Sequence, residues 1–245
     1  MAYKPNFTHK KKRTQHGETF WDAEYKNPTH LKLSTKQSED LEKFTRWVLR
    51  RKREDVLDPK ASVLDVGCGN GRNLIFLTKE FGTKGIGYDI SKAAIAQAAA
   101  ASHKMPIRYT ARSIAGTLDV EDNSQALILD MMTSHFLNKA DRTNLRNEIF
   151  RTLEPGGLLF MKTFLKDEDL HTKRLLSERP GTEPGSYIHP VMGVAEYVYS
   201  EEELVTFLAE KFIVHKIYRS HQHSFHGQAR KRRTITIYAE KDRFQ

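Results

Sequence analysis

Chemistry is densest where Asp65 precedes three glycines at alternate positions, Gly67, Gly69 and Gly71, with Asn70 between the last two. Glycines there let the backbone take positive φ and admit a ligand close to main-chain N–H groups. The spacing is G-x-G-x-G rather than the G-x-G-x-x-G of dinucleotide sites, and a carboxylate two residues before the first glycine repels phosphate and suits a cationic ligand. Further along stand Asp89, Asp130 and Lys162, and beyond them the proton-carrying or hydrogen-bonding groups His135, Tyr187 and His189. A lysine inside the otherwise apolar run Leu158–Phe164 is costly to bury alone. It therefore either meets a carboxylate, Asp130 being the candidate at the neighbouring strand end, or snorkels out while Asp130 contacts a cofactor or caps the next helix. Cys68, the sole cysteine, lies inside the glycine turn. His221, His223 and His226 are of metal-ligand type but fall in a basic, glycine-containing connection, so no metal is expected.

These groups need a scaffold. Ser62–Val66 reads as a buried strand, and Gly85–Ile90 as a second ending in Asp89; Ile107–Thr110, Ala126–Leu129, Leu158–Phe164, Phe212–Tyr218 and Thr234–Ala239 follow. Between them Leu74–Phe81, Ala93–Ala101 with Ser91 as its cap, Leu145–Leu153 and a segment opening at Ser200 read as helices. Strands alternating with helices predict an α/β fold whose ligands lie beyond the C-terminal strand edges. Ser38–Arg53 is predicted helical, with Leu41, Phe44 and Val48 on one stripe. Before it, Trp21 and Tyr25 share a helical face, as a packing anchor or as a cover for a ligand. Residues 165–199, rich in Pro and Gly, read as a variable loop region of the kind that holds substrates.

Three stretches together resemble the class I S-adenosylmethionine-dependent methyltransferases: Val63-Leu-Asp-Val-Gly-Cys-Gly-Asn-Gly-Arg72, Gly85-Ile-Gly-Tyr-Asp-Ile-Ser91, and Leu153-Glu-Pro-Gly-Gly157 before an apolar strand. The resemblance implies a Rossmann-like, seven-stranded sheet, mostly parallel with an antiparallel C-terminal hairpin. It also implies S-adenosylmethionine held by Asp65, Gly67, Gly69, Asn70, Gly71, Asp89, Ile90, Ser113, Ile114, Asp130 and Met131, with Asp89 on the ribose hydroxyls. Many family members carry an acid near Arg112–Ile114, and none stands there. The implied domains are a flexible basic arm over 1–17, a helical and aromatic pre-segment over 18–60, and the methyltransferase domain over 61–245.

For the acceptor, two resemblances compete. The overall plan is similar to small-molecule methyltransferases of the tellurite-resistance and thiopurine type. Gly157–Phe164 resembles strand five of RNA ribose 2′-O-methyltransferases, which makes Asp130 and Lys162 catalytic candidates; Thr234, however, stands near the place of that family's glutamate. His135, Tyr187 and His189 are the expected substrate contacts. Without a second cysteine, covalent carbon-5 pyrimidine methylation lacks a nucleophile. The strand-four end also lacks the Asn/Asp-Pro-Pro-Tyr/Phe sequence of amino-methylating enzymes. An oxidoreductase on the same fold is disfavoured by the glycine spacing and Asp65, and a non-catalytic nucleic-acid-binding protein would not need the cofactor residues.

Charge is uneven along the 245 residues. Basic residues outnumber acidic ones 15 to 9 in residues 1–60 and 9 to 2 in 211–245, while 61–210 carries 16 against 20, for a net +9. The clusters Lys10–Arg13, Arg50–Arg53 and Arg230–Arg233 are either solvated faces or contacts to RNA. One cysteine, no signal-like apolar core and no membrane-length apolar run lead to the expectation of a cytoplasmic protein without a membrane partner.

Overall fold

The computed structural model describes residues 8–30, 33–220, 224–225, 228–229 and 232–244, with backbone alone at 8–16, 224–225 and 228–229. Helices α1 (Thr8–Lys26) and α2 (Glu39–Arg50) precede strand β1 (Ser62–Val66). There follow α3 (Arg72–Phe81), β2 (Lys84–Asp89), α4 (Lys92–Ala101), β3 (Ile107–Ala111), β4 (Gln125–Met131), α5 (Lys139–Thr152) and β5 (Leu153–Phe164). The chain continues through α6 (Leu170–Glu178), β6 (Ser186–Ile188), β7 (Ala195–Tyr197), α7 (Glu201–Ala209), β8 (Phe212–Arg219), the short strands β9 (Ser224–Phe225) and β10 (Gln228–Ala229), and β11 (Thr234–Lys241).

Among the described residues, seven strands form one sheet in the order β3-β2-β1-β4-β5-β11-β8. The first five are parallel, and β11 runs antiparallel to both β5 and β8. Both faces are covered, which explains why β1 and β4 read as continuous apolar runs rather than alternating ones. Leu64, Val66, Ile128, Leu159 and Met161 pack on one face against Leu145, Ile149, Leu204 and Leu208 from α5 and α7. Val63, Leu127, Leu129, Leu158 and Phe160 pack on the other against Phe44, Trp47, Leu74 and Leu77 from α2 and α3. Helix α2 docks through Leu41, Phe44 and Val48, all fully buried. The last helix opens at Ser200 as expected, and a capping box forms there: Ser200 and Glu203 satisfy each other's backbone N–H groups at the start of α7.

Three expectations change. Residues 8–17, read as a loose arm, are helical backbone continuous with the aromatic turns of α1. The segment is rich in Lys, Arg and Gln, which favour helix once docked turns have met the nucleation cost. The Pro-Gly-Gly stretch is a bulge inside a 12-residue β5 rather than a turn before it, with a register shift opposite Gln125 to Leu127 and Gly156 at φ 83°. The variable stretch 165–199 folds into α6 and the β6–β7 hairpin.

Asp169 secures that insertion. Its buried carboxylate accepts hydrogen bonds from His171 N (3.0 Å), Thr172 N (3.2 Å) and Thr172 Oγ1 (2.9 Å) at the start of α6, and from Arg233 N (3.0 Å) beside β11. Asp169→Ala leaves these donors buried and unpaired, so it should lower unfolding free energy by about 2–4 kcal/mol. Urea titration should show an earlier midpoint at unchanged m, and Asp169→Asn should lose less.

Candidate functional site

The glycine turn joins β1 to α3 with Gly67 at φ 94° and Gly69 at φ 54°. A β-carbon on Gly67 would overlap the Thr133 side chain, and one on Gly69 would overlap the Tyr25 hydroxyl. Glycine is required there for conformation and for space together. Gly71, also left-handed, is the N-cap residue of α3. Asp89, at the end of β2, binds the turn directly: its Oδ2 accepts from Gly69 N at 2.9 Å and its Oδ1 from Ser91 N at 2.9 Å. Helix α1 reaches the same corner. Asp22 Oδ1 accepts from Ser91 Oγ (2.6 Å) and Ala93 N (3.0 Å), so the first helix caps α4 from outside. Burial works against the Asp22 charge, but these bonds hold its carboxyl below the usual range.

Three acids crowd this corner. Asp65 is 1% exposed and neither carboxylate oxygen has a partner; burial, then Asp89 and Asp130, push its pKa up to about 8. Burial also raises Asp89. Asp130 is 2% exposed and is pushed up to about 6 by burial, with Ser134 N donating to Oδ1 at 3.1 Å.

In front of the turn lies a cavity of about 1120 Å³. Gly67, Gly69 and Asn70 line it beside Asp89 and Ile90; Ser113 and Ile114 line it from the loop after β3, and Met131 and Lys162 from the ends of β4 and β5. Asp65, Gly71 and Asp130 are not in its lining. Trp21 and Tyr25 cover it from α1, and Trp21 meets Phe136 edge to face at 5.8 Å. Sequence reading missed Phe136, Asn138, Asp141, Asn144 and Val194, which also line it. Asn138, Asp141 and Asn144 recur at three-residue intervals along the start of α5, a polar stripe that is visible in the sequence. Met132, another lining residue, holds φ 63° while its N–H donates to Lys162 O at 2.8 Å. A left-handed methionine at a cavity wall is strain of the kind stored at binding sites.

The catalytic pairing expected from sequence does not form. Met131 lies opposite Lys162 in the register, and Asp130 opposite Met161, so Asp130 and Lys162 project from opposite faces of the sheet. Lys162 instead meets Asp40 of α2, Nζ to Oδ2 at 2.5 Å. Burial opposes the Asp40 charge, but Lys162 and Lys43 hold its carboxyl below the usual range. Asp130 caps the short 3-10 turn Ser134–Phe136.

The expected substrate contacts also lie elsewhere. His135 is 1% exposed, with both ring nitrogens unpartnered, and burial holds its pKa down to about 4. Tyr187 is fully buried and donates to Glu196, which also accepts from Arg232 Nη1 at 2.6 Å. His189 Nδ1 accepts from Met192 N at 3.1 Å within its own loop. The three cluster around Glu196, which contributes to the fields at all of them, behind the cavity rather than in it. No group of His, Cys, Asp and Glu among the described residues could hold a metal, and His221, His223 and His226 lie outside them.

Residues 63–157 match the family model described as a methyltransferase domain. That segment carries a methyltransferase domain, and the chain is similar there to the class I S-adenosylmethionine-dependent methyltransferases. A 130-residue stretch is 27% identical to carboxy-S-adenosyl-L-methionine synthase of Yersinia enterocolitica, covering 50% of this chain and 48% of that protein. The chain thus spans about half the length of the curated relative it matches. Among solved structures, a methyltransferase from Methanosarcina mazei superposes at a TM-score of 0.64 with 23% identity, over 78% of this chain and 97% of that one. The N-methyltransferase NodS of Bradyrhizobium japonicum, solved with S-adenosyl-L-homocysteine, gives 0.60 with 16% identity, over 92% and 98%. At these identities the likeness shows the fold.

The methyltransferase cofactor fits what this site leaves unsatisfied. The raised pKa values of Asp65, Asp89 and Asp130 mark carboxyls that lack a counter-charge, and a bound ammonium or sulfonium would favour their ionised forms. The bare glycine backbone admits a close neighbour, and Asp89 keeps lone pairs for ribose hydroxyls beyond those it gives Gly69 and Ser91. Among the described residues no helix is long and apolar enough to cross a membrane.

Asp89→Ala should weaken S-adenosylmethionine binding by about 10- to 100-fold in calorimetry. A cation stabilises ionised Asp65, so binding should release protons below about pH 8 and tighten as pH rises from 6 to 8. In the free protein the sign is opposite: folding raises the Asp65 pKa, so its stabilising contribution, complete below the unfolded pKa, fades as pH climbs toward about 8. Thermal melts without cofactor should therefore lose stability across that range, and Asp65→Asn should flatten the trend.

Proposed function

We propose that this chain transfers the methyl group of S-adenosylmethionine to a small-molecule acceptor bound in the same cavity. The observation that carries the reading is the cover supplied by α1: Tyr25 presses on Gly69 and Trp21 on Phe136, so the acceptor must fit beneath a helix. The cofactor, when bound, supplies a methyl already activated on a sulfonium. What remains for the protein is to align the acceptor, exclude water and hold a favourable field. Burial of the turn and the aromatic cover serve the first two, and the acids of β1, β2 and β4 serve the third.

The RNA reading is weaker because three of the cluster cations, Arg53, Arg232 and Arg233, are engaged internally. Arg53 is engaged by Asp55, Glu240 and Gly156 O. Arg232 is held by Glu196 and lies over the Phe164 ring, and Arg233 bonds Glu168 and Asp167 O. The strand-five resemblance loses its acid too, since the partner of Lys162 is Asp40. The free buried Cys68 supports a reducing, cytoplasmic setting.

Tritiated cofactor offered in parallel to total RNA, total protein and a small-molecule extract should deliver label to the extract. Label in the RNA fraction overturns the reading. Replacing the exposed Arg50 and Lys52 by alanine should leave turnover within about twofold at low and physiological salt, whereas RNA binding through these cations would weaken steeply with salt.

A further inference from the structure

The acceptor end of the cavity, at the tips of β4 and β5, is made of rings, thioethers and one tethered cation. Trp21 and Phe136 meet at an interplanar angle of 74°, forming a corner whose free faces border the cavity. Met131, Met132 and Val194 extend the same wall with soft apolar surface. Such a corner gives a flat π system one face to stack on and one edge contact, geometry that a puckered aliphatic ring cannot reproduce.

Lys162 supplies the polar term. It is 21% exposed, borders this cavity, and spends one N–H on Asp40, whose carboxylate offsets its charge. The remaining ammonium hydrogens suit a neutral acceptor such as a ring nitrogen or carbonyl oxygen. A carboxylate or phosphate would sit against the Asp40 charge. A ligand that covers those donors without accepting from them loses affinity, so a ligand without such an edge binds less tightly.

We infer, resting on the reading of this cavity as the methyl-acceptor site, that the acceptor is a neutral, planar heteroaromatic molecule. Its ring lies in the Trp21–Phe136 corner, and one edge nitrogen or oxygen accepts from Lys162. Trp21 and Lys162 then set specificity for shape and for edge chemistry, independently of the residues that hold the cofactor.

The test uses the full chain saturated with S-adenosylhomocysteine, with occupancy checked by calorimetry, and ligand-observed NMR at pH 8. Three bicyclic probes separate the two requirements: quinoline is planar with an edge nitrogen, naphthalene is planar without one, and 2-decalone has a carbonyl but is not planar. Quinoline should bind at least about tenfold more tightly than 2-decalone. Trp21→Leu should weaken quinoline and naphthalene alike by about tenfold, and Trp21→Phe should restore most of the loss. Lys162→Met should bring quinoline down to the affinity of naphthalene and leave naphthalene unchanged. Retained S-adenosylhomocysteine binding in each variant shows that the site is still folded. Equal binding of 2-decalone and quinoline, no binding of any probe, or quinoline binding indifferent to both variants overturns the inference alone. Failure of the unmodified protein to bind S-adenosylhomocysteine overturns the methyltransferase reading and this inference with it.

Discussion

The structure depends on side chains resting directly on bare backbone at the β1–α3 turn. Thr133, just after β4, occupies the space where a β-carbon of Gly67 would be, and the hydroxyl of Tyr25, from α1, does the same at Gly69. Close packing of this kind tolerates little displacement. The turn, the tip of β4 and the N-terminal helix therefore fix one another, and the cavity is the space left among them. Asp89 adds a covalently distant tether by binding Gly69 N, so the tip of β2 moves with the turn as well.

The electrostatics run against ordinary rules most strongly at one corner of the described residues. Cations elsewhere are neutralised: Arg142 by Glu183, Arg151 by Glu148 and Asp122, Lys162 by Asp40. At the tips of β1, β2 and β4, by contrast, Asp65, Asp89 and Asp130 crowd a buried corner without a counter-charge, burial and repulsion hold the proton on Asp65, and its oxygens are left without partners. Local rules broken without an internal compensation mark places where a ligand completes the chemistry. The buried assembly of Tyr187, Glu196 and Arg232 differs in that the Glu196 carboxylate accepts from both Tyr187 and Arg232 Nη1, which ties the insertion to the core.

Most of the fold was legible because its signals are local. Two-sided burial makes β1 and β4 continuous apolar runs, the stripe of α2 follows helical period, and Ser91 and Ser200 announce their helices. The glycine turn was legible as well, since its spacing is a backbone requirement. What stayed hidden depends on long-range register. Whether Asp130 and Lys162 share a face is decided by pairing Met131 with Lys162, and one residue of slip would reverse it. Asp40 and Lys162 are separated by 122 positions, and nothing local connects them. Residues 165–199 look like a loop by composition, yet tertiary contacts at Asp169 and Glu196 make a helix and a hairpin of them. Tyr187 and His135 resemble site residues by type, and their burial outside the cavity lining follows from tertiary packing that the sequence does not display.

Asp22 caps a helix to which it is not connected, and that has a consequence for how such a chain can diversify. The recognisable methyltransferase segment, residues 63–157, begins after the residue that completes its own second core helix and stops before Val194 closes the cavity wall. The unit that could be exchanged among relatives without loss is therefore larger than the unit that similarity detects. Recombination at the edges of the recognisable segment would carry over the cofactor turn and the Ser91 cap but sever α4 from its second cap, Asp22, and the cavity from its cover. New acceptor preferences are more accessible through point changes in α1 and the β6–β7 hairpin, which can vary while the glycine turn and its acids stay as they are.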